Sequence, residues 1–445
     1  MTETFDVVIK GGTIVNHNGI GSGDVAIRAG RIAAIGDVDA ARGARVIDAR
    51  GLHVLPGVID TQVHFREPGL EHKEDLESGA RGAVLGGVTG VFEMPNTNPS
   101  TTTAQAVADK IIRAHGRMAC NFAFYAGAAA DNIGNLGSLE RLPGCAGIKL
   151  FMGSSTGSLL VAEDGPIREI LKNGTRRIAV HCEDEARLQE RKALRVEGDP
   201  ASHPVWRDVE SALRATTRLV ALARETGRRI HVLHVTTLEE MVFLADHRDI
   251  ASVETTPQHL TLVAPECYQQ LGTFAQMNPP IREARHRDAL WNAVRGGIVD
   301  VIGSDHAPHT REEKAKTYPA TPSGMTGVQT LVPILLDHVH HGRMSLERFV
   351  DLTSHGAQRI FNLAGKGRLA IGYDGDLTIV DLKAQRMIED SWIASRSGWT
   401  PFAGKKVTGW PKGTIVGGHV AMWEDELIGP PQGKPIRFQE TLLAR

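Results

Sequence analysis

Three histidines and an aspartate stand where metal-binding chemistry is possible. His64, His181 and His234 each lie in or at the end of a short apolar run that predicts a β-strand. Asp305 follows another such run, in the sequence Ser-Asp-His-Ala-Pro-His. Imidazole and carboxylate groups together suit Zn²⁺ or a similar divalent ion. A lone histidine in a strand is usually structural, but this combination at strand ends predicts a shared metal site.

Lys149 is a fifth candidate, in the apolar run Gly-Ile-Lys-Leu-Phe. An ammonium group is costly to bury there unless it is paired or loses its proton. A neutral lysine amine could react with CO₂ to form a carbamate, and this anion could bridge two cations. The residues equally allow a lysine that extends to solvent or pairs with Asp305.

The elements that would position these residues alternate between about residues 55 and 365. The helical segments include 208–227, which shows an apolar stripe at spacings of three and four with Gly227 at the C-cap position, and 104–115 after Thr102 and Thr103. The predicted strands are Val58–His64, Val88–Met94, Ala119–Tyr125, Gly147–Phe151, Arg177–His181, Ile230–Val235, Ala251–Thr255 and Val299–Gly303. Eight strands with helical crossovers predict an α/β fold, a (β/α)8 TIM-like barrel, rather than an open sheet. The C-terminal strand ends of such a barrel form one mouth, where the candidate residues would meet.

Both ends of the chain have a different pattern. Short β-rich runs separated by glycine turns occupy residues 1–54 and return after residue 366. Isolated N-terminal strands need partners, so we expect one small β-sandwich built from both termini, although two separate β-flaps are the alternative. The predicted domains are therefore 1–54 and 366–445 for the sandwich and tail, and 55–365 for the barrel.

Composition excludes several classes of function. The 50 Lys and Arg balance 52 Asp and Glu in a chain of 445 residues, which offers no basic surface for nucleic acid or anionic lipid. The four cysteines form no CxxC pair, and no glycine-rich nucleotide-binding loop follows a predicted strand. No long apolar segment or signal-like start is present. We expect a cytoplasmic protein with a small-molecule substrate.

Several sequence blocks resemble the dihydroorotases of the cyclic-amidohydrolase (metallo-dependent hydrolase) superfamily. They are Gly-Val-Ile-Asp-Thr-Gln-Val-His-Phe-Arg-Glu-Pro-Gly at 57–69, Met-Pro-Asn-Thr-Asn-Pro at 94–99, Gly-Ile-Lys-Leu-Phe-Met at 147–152, Met-Asn-Pro-Pro at 277–280 and Ser-Asp-His-Ala-Pro-His at 304–309. The order of the blocks also matches, and the resemblance covers nearly the whole chain. Allantoinases and hydantoinases share the metal-binding residues, but the Phe-Arg-Glu-Pro-Gly and Met-Pro-Asn-Thr runs favour dihydroorotase.

The resemblance implies a binuclear zinc site with a carboxylated Lys149 bridging the two ions. It assigns Asp305 and the strand-1 pair to one ion, and His181 and His234 to the other.

The resemblance also implies how the substrate is held. Arg66, Asn96 and His309 match residues that bind the substrate carboxylate, and Asn278 matches a ring contact. Arg66 could instead be a surface ion-pair partner, and the two asparagines could be turn residues beside proline. Three further residues, Glu183, His259 and His306, match no role.

One position departs from the family pattern. The first strand of the family carries His-x-His, whereas this chain has Gln62-Val63-His64. Residues 62 and 64 share one face of a strand, so Gln62 occupies the place of the missing ligand. Its amide oxygen is a weaker donor for zinc than imidazole. Gln62 could bind weakly, water could replace it, or one metal could be lost, so one or two Zn²⁺ ions per chain are expected.

The favoured function is dihydroorotase, a hydrolase that reversibly opens the dihydroorotate ring to N-carbamoyl-aspartate in pyrimidine biosynthesis. Asp305 would act as the catalytic base that carries a proton to the departing nitrogen. An allantoinase- or hydantoinase-type enzyme and a metal-poor, non-catalytic partner protein are the alternatives. We also expect a homodimer or homotetramer, and a mobile lid at 310–321.

Overall fold

The computed structural model describes residues 4–155 and 159–442. Its strands are β1 (Phe5–Asn16), β2 (Gly19–Arg28), β3 (Arg31–Gly36), β4 (Gly43–Asp48), β5 (His53–Pro56), β6 (Val58–Val63), β7 (Val88–Glu93), β8 (Asn121–Gly127), β9 (Cys145–Phe151), β10 (Ile178–His181), β11 (Ile230–Val232), β12 (Ala251–Thr255), β13 (Val301–Ile302), β14 (Leu377–Met387), β15 (Lys406–Val416), β16 (His419–Trp423) and β17 (Glu426–Leu427).

Helices fill most of the connections. They are α1 (Leu76–Leu85), α2 (Ala104–Ala114), α3 (Leu136–Leu139), α4 (Asp164–Lys172), α5 (Glu185–Glu190), α6 (His203–Trp206), α7 (Val209–Thr226), α8 (Leu238–Ala245), α9 (Pro257–Thr261), α10 (Glu266–Leu271), α11 (Ala284–Arg295), α12 (Arg311–Lys314), α13 (Leu331–His340), α14 (Leu346–Val350), α15 (Gly356–Phe361) and α16 (Gln439–Leu442). Within the described ranges, none of them has both the length and the apolar character needed to cross a membrane.

The eight strands β6 to β13 form one parallel sheet in chain order, which confirms the predicted barrel. The first and last strands meet just beyond their ends, where the amide of His64 donates to the carbonyl of His306 at 2.7 Å. The strands lie within three residues of their predicted bounds. The prediction that the sixth barrel strand includes His234 is wrong, because β11 ends at Val232 and His234 itself has a left-handed backbone.

The long helix α7 shows how local sequence sets an element. Asp208 caps its first turn by accepting from the backbone of Ser211, and Gly227 ends it in the left-handed conformation, as predicted. The predicted apolar stripe is buried in its later part, at Thr216, Val220 and Ala223. Its first two positions, Val209 and Leu213, are only half-buried.

Strands from both termini form one nine-stranded mixed sheet, as the shared sandwich predicts. The chain passes from this sheet to the barrel at Gly57, between β5 and β6. The two halves join where β5 pairs antiparallel with β14, for example Val54 with Ile379. Side chains from both halves, including Val25 and Ile415, share one buried cluster.

The segment after β17 closes the floor of the barrel, opposite the mouth. The amide of Phe122 donates to the carbonyl of Lys434, and the amide of Ile436 donates back to Phe122. Phe438 packs against Phe92 with ring centres 5.8 Å apart. The C-terminal tail therefore belongs to the packing of the barrel as well as following the terminal sheet.

Candidate active site

One pocket at the barrel mouth brings the predicted metal-binding residues together. Its lining includes all six of them, contributed by five strands or the residues that follow them: Gln62, His64, Lys149, His181, His234 and Asp305. Each of these side chains is at least nine-tenths buried. The parallel strands point their C-terminal ends the same way, which is why residues more than two hundred positions apart meet here.

Three pocket residues have a left-handed backbone. The φ angles are 65° at Arg66, 38° at His234 and 46° at Asp305. Residues other than glycine adopt this region at a cost, and such strain is concentrated at functional sites. The side chains of all three residues line the pocket.

The first side of the pocket joins Gln62, His64 and Asp305. Gln62 Nε2 donates to Asp305 Oδ1 at 2.9 Å, and His64 Nε2 lies 3.3 Å from the same oxygen. The other ring nitrogen of His64 is 2.7 Å from Asn96 Oδ1, so Nδ1 carries the proton and Nε2 is available to a metal. Gln62 and His64 lie on the same side of the strand, as predicted.

The second side joins His181 and His234. His181 Nδ1 lies 3.0 Å from His234 Nε2, and His181 Nε2 lies 2.9 Å from Glu183 Oε2. Burial lowers the pKa of both imidazoles, so both are neutral at physiological pH. The two facing nitrogens are as close as two ligands of one tetrahedral zinc ion would be, about 3.4 Å.

Lys149 lies between the barrel core and the pocket. Its Nζ has no hydrogen-bond partner among the described residues, and it sits 4.2 Å from the centre of the Phe151 ring. The residue is 1% exposed, so it does not extend to solvent, and the unpartnered Nζ shows that it makes no hydrogen bond to Asp305. Burial lowers the pKa of Lys149 to about 7, which makes its neutral amine accessible near physiological pH.

The candidate ligands can form a metal centre only if Lys149 or Gln62 contributes beside the histidines and Asp305. In the part of the chain that the structure describes, no group of three His, Cys, Asp or Glu forms a metal site by itself. The donors instead form two pairs, His64 with Asp305 and His181 with His234. Lys149 and Gln62 are the neighbouring side chains that could add a further ligand to each pair. Among the described residues, Lys149 Nζ and Gln62 Oε1 are buried atoms without a hydrogen-bond partner, as an absent ligand would leave them.

Arg66 lies in the same pocket as a buried cation. Its Nε donates to the carbonyl of Pro308 at 3.1 Å, and Nη2 lies 3.2 Å from His309 Nε2. Nη1 is buried and has no partner in the described ranges. Burial lowers the pKa of Arg66 to about 10, yet the group stays charged at neutral pH. With 1% exposure, Arg66 is not a surface ion-pair residue.

The other predicted substrate residues divide into two groups. Asn96 and Asn278 line the pocket, and Asn278 Oδ1 also accepts from His203 Nε2 at 2.9 Å. His309 lies behind Arg66 rather than in the pocket lining, where it contacts Lys73 at 3.2 Å. Burial and the Arg66 charge lower the pKa of His309 to about 3, so it supports Arg66 as a neutral ring.

Sequence reasoning gave Glu183 no role and did not single out Arg207. Glu183 is fully buried and holds both His181 and the Arg207 guanidinium. Burial opposes its charge, but Arg207 and His181 keep the pKa of Glu183 below its usual value. The sequence did contain a signal for Glu183. It lies two positions after His181, and alternate residues of an extended chain face the same side, so the two side chains could be expected to meet.

The segment 310–321 follows strand β13 and includes α12. The buried ammonium of Lys314 donates to the carbonyls of Gln276 and Pro322 at 3.1 and 3.0 Å. Thr310 and Glu313 form a capping box at the start of the helix. A lid movement of this segment would have to withdraw Lys314 from both carbonyls.

Comparison with known proteins agrees with this architecture. The amidohydrolase family profile matches residues 53–421. A dihydroorotase of Halobacterium salinarum is 36% identical over 418 residues, covering 93% of this chain and 96% of that protein. An allantoinase of Solibacter usitatus is 33% identical over 447 residues, covering 97% of each.

A solved structure shows the same fold. The L-hydantoinase (dihydropyrimidinase) from Arthrobacter aurescens has a TM-score of 0.92 and 30% identity, covering 98% of this chain and 100% of that one. The relatives therefore carry different names at similar identity, so identity alone does not separate these activities.

Proposed function

The chain belongs to the amidohydrolase family and is a cyclic amidohydrolase, and on that premise we propose that its substrate is dihydroorotate. The reaction is the reversible opening of this ring to N-carbamoyl-aspartate, a step of pyrimidine biosynthesis. The observation that favours dihydroorotate is the position of Arg66. Its buried guanidinium lies in the same pocket as the candidate metal ligands, and its Nη1 has no partner among the described residues. Dihydroorotate carries a ring carboxylate, which a planar guanidinium can bind through two parallel hydrogen bonds.

Zn²⁺ is the proposed cofactor, and the chain's residues would hold it in two places. Lys149 would first become a ligand: its neutral amine attacks CO₂, the N–C bond forms as one C–O π bond of CO₂ breaks with its electron pair moving to oxygen, and the nitrogen loses one proton to water, giving a carbamate. The carbamate would join His181 and His234 at one position, and His64 and Asp305 at the other. Growth with ¹³C-bicarbonate tests this step, since a carbamate ¹³C resonance should appear in the wild type and be absent from Lys149→Met.

Gln62 makes the two positions unequal. Its Nε2 is engaged by Asp305, so only Oε1 remains to contact a cation. A neutral amide oxygen is a weaker zinc ligand than imidazole. We propose that the position beside His64 and Asp305 holds its ion less tightly than the position beside His181 and His234.

The chain's residues would then divide the reaction between them. Bound zinc would polarise the amide carbonyl and lower the pKa of a nearby water. Arg66 and Asn96 hold the substrate carboxylate and so orient the ring. Asp305 accepts the proton of the attacking water as the O–C bond forms, and donates it to the ring nitrogen as the C–N bond breaks.

A hydantoinase-type activity is the second candidate, since the overall fold superimposes on an L-hydantoinase with a TM-score of 0.92. Ring opening of dihydroorotate, allantoin, a 5-substituted hydantoin and dihydrouracil by zinc-loaded protein separates the candidates. We expect the highest kcat/KM for dihydroorotate. A hydantoin opened at least as well would favour the second candidate. Failure to open any ring would favour a non-catalytic partner protein.

A further inference from the structure

Glu183 and Arg207 form a buried pair behind the pocket that the proposed chemistry does not use. We infer that this pair is a positioning device: Glu183 fixes the proton of His181 on Nε2, so that Nδ1 presents its lone pair to the metal position, and Arg207 fixes Glu183. The inference rests on the metal centre of the proposed function, but its test requires no turnover.

The hydrogen bonds of His181 determine its tautomer. Nε2 lies 2.9 Å from Glu183 Oε2, and Nδ1 lies 3.0 Å from His234 Nε2 on the pocket side. An ionised carboxylate can only accept, so the proton of a neutral His181 must sit on Nε2. Nδ1 then carries a lone pair directed into the pocket, where it accepts from His234 Nε2 as long as no metal is bound. Carboxylates placed in this way behind metal-binding histidines orient the ring and raise its basicity.

Arg207 holds Glu183 through several contacts. Its Nε lies 3.0 and 3.1 Å from the two carboxylate oxygens, and its Nη2 lies 2.6 Å from Oε2. The same Nη2 donates to the carbonyl of Ser154 at 2.5 Å, just after strand β9. Glu183 and Arg207 are 0% and 2% exposed, so the pair is shielded from water. The planar guanidinium of Arg207 therefore fixes the Glu183 carboxylate in one orientation.

A second pair in the chain provides a matched control. Glu140 and Arg228 are 0% and 3% exposed in their side chains and lie 2.6 Å apart, the same as the shortest contact of Glu183 with Arg207. Glu140 also accepts from the backbone of Thr175 and Arg176, which precede strand β10. It thus sits at the opposite end of the strand that carries His181. Glu140→Gln removes a buried, arginine-paired charge without touching the pocket.

Glu183→Gln keeps the shape of the side chain but cannot satisfy both neighbours. One of its terminal atoms is an NH₂ group, which must face either Arg207 or the protonated Nε2 of His181. If it faces His181, the proton of the ring moves to Nδ1 and blocks the lone pair. Loss of such a supporting carboxylate typically weakens metal binding about 10- to 100-fold.

The first experiment titrates zinc into metal-free wild type, Glu183→Gln and Glu140→Gln, in competition with a chromophoric chelator. We expect Glu183→Gln alone to raise the Kd of the tighter site about 10- to 100-fold. The midpoint temperature of thermal unfolding, measured on the same metal-free proteins, should fall by a similar amount in both variants. A wild-type Kd in Glu183→Gln, or an equal rise in both variants, would overturn the inference.

The second experiment uses the wild type and stays informative if Glu183→Gln does not fold. Long-range ¹H–¹⁵N correlation spectra of the metal-free protein report histidine tautomers, with His181 assigned from His181→Asn. We expect the Nε2–H form, and the Nδ1–H form would contradict the inference. If the wild type binds no zinc, the metal centre of the proposed function is wrong. The tautomer measured for His181 then still tests whether Glu183 fixes the proton on Nε2.

Discussion

Gln62 Nε2 donates a hydrogen bond to Asp305 Oδ1 at 2.9 Å, across the two strands that close the barrel. The same oxygen lies 3.3 Å from His64 Nε2. The amide therefore has its nitrogen towards Asp305, since the reverse orientation would place two oxygens together. The Asp305 oxygen that faces the His64 lone pair is therefore already engaged by the Gln62 amide, which limits how strongly this side of the pocket can bind a cation.

Replacing Gln62 with histidine should increase the zinc content of the protein. An imidazole at this position supplies a stronger donor and releases Asp305 from the amide hydrogen bond. After dialysis against buffer with limiting free zinc, we expect about one ion per wild-type chain and closer to two in Gln62→His. Metal analysis by mass spectrometry measures the ratio. Equal zinc content in the two proteins would mean that the glutamine is already an adequate ligand.

Replacing Arg66 with methionine should distinguish charged from neutral substrates. Two charge-assisted hydrogen bonds to a carboxylate are worth about 3 kcal/mol or more, so kcat/KM for dihydroorotate should fall by at least about 100-fold. A neutral 5-substituted hydantoin serves as the internal control, because any general damage to the pocket affects it equally. The same loss for both substrates would argue against a carboxylate contact.

Replacing Asp305 with asparagine should stop proton transfer while leaving the fold intact. The amide keeps the size of the side chain, and we expect kcat to fall by about 10²- to 10⁴-fold. Activity is compared at equal zinc occupancy, which separates loss of the base from loss of the metal. Circular dichroism and the thermal midpoint check the fold. Turnover near the wild-type rate would remove Asp305 from the role of base.

Asp208 should contribute to stability in a pH-dependent way. Burial opposes its ionisation, but Arg187 and the Ser211 cap together lower the pKa of Asp208 to about 2. Its contribution is therefore present above the unfolded pKa of 3.8 and is lost as the pH falls towards 2.

Asp208→Ala should lower the stability by about 1–2 kcal/mol at pH 6, and the difference from the wild type should shrink at pH 3. Urea unfolding at the two pH values measures it. Asp208→Asn, which retains a capping side chain, is the control and should lose less. A difference that is independent of pH would show that the charge of Asp208 does not matter.

Most of the donor set was predictable because it lies within continuous sequence blocks. Lys149 and His181 lie inside strands whose apolar runs are visible in the sequence, so their place at the barrel mouth follows from the fold. The shared sheet was predictable from the similar patterns of the two ends. The antiparallel pairing of β5 with β14 was not, because nothing local specifies which strands of the two halves meet.

The surroundings of the donors were harder to foresee. Arg207 reaches Glu183 from a turn 24 positions away, and an arginine in a polar segment resembles any surface residue in sequence. His309 stands in a block that resembles a substrate-binding motif, yet its ring lies behind Arg66. In both cases the orientation of a side chain depends on packing between separate loops, which spacing along the chain does not record.

The left-handed backbone at Arg66, His234 and Asp305 has a consequence for engineering. Glycine would relieve the conformational cost at each of these positions, while removing the guanidinium, the imidazole or the carboxylate that the position presents. Selection of random variants for heat resistance alone would therefore accept changes here that destroy the enzyme. A screen that aims to improve durability should score every clone for ring opening as well.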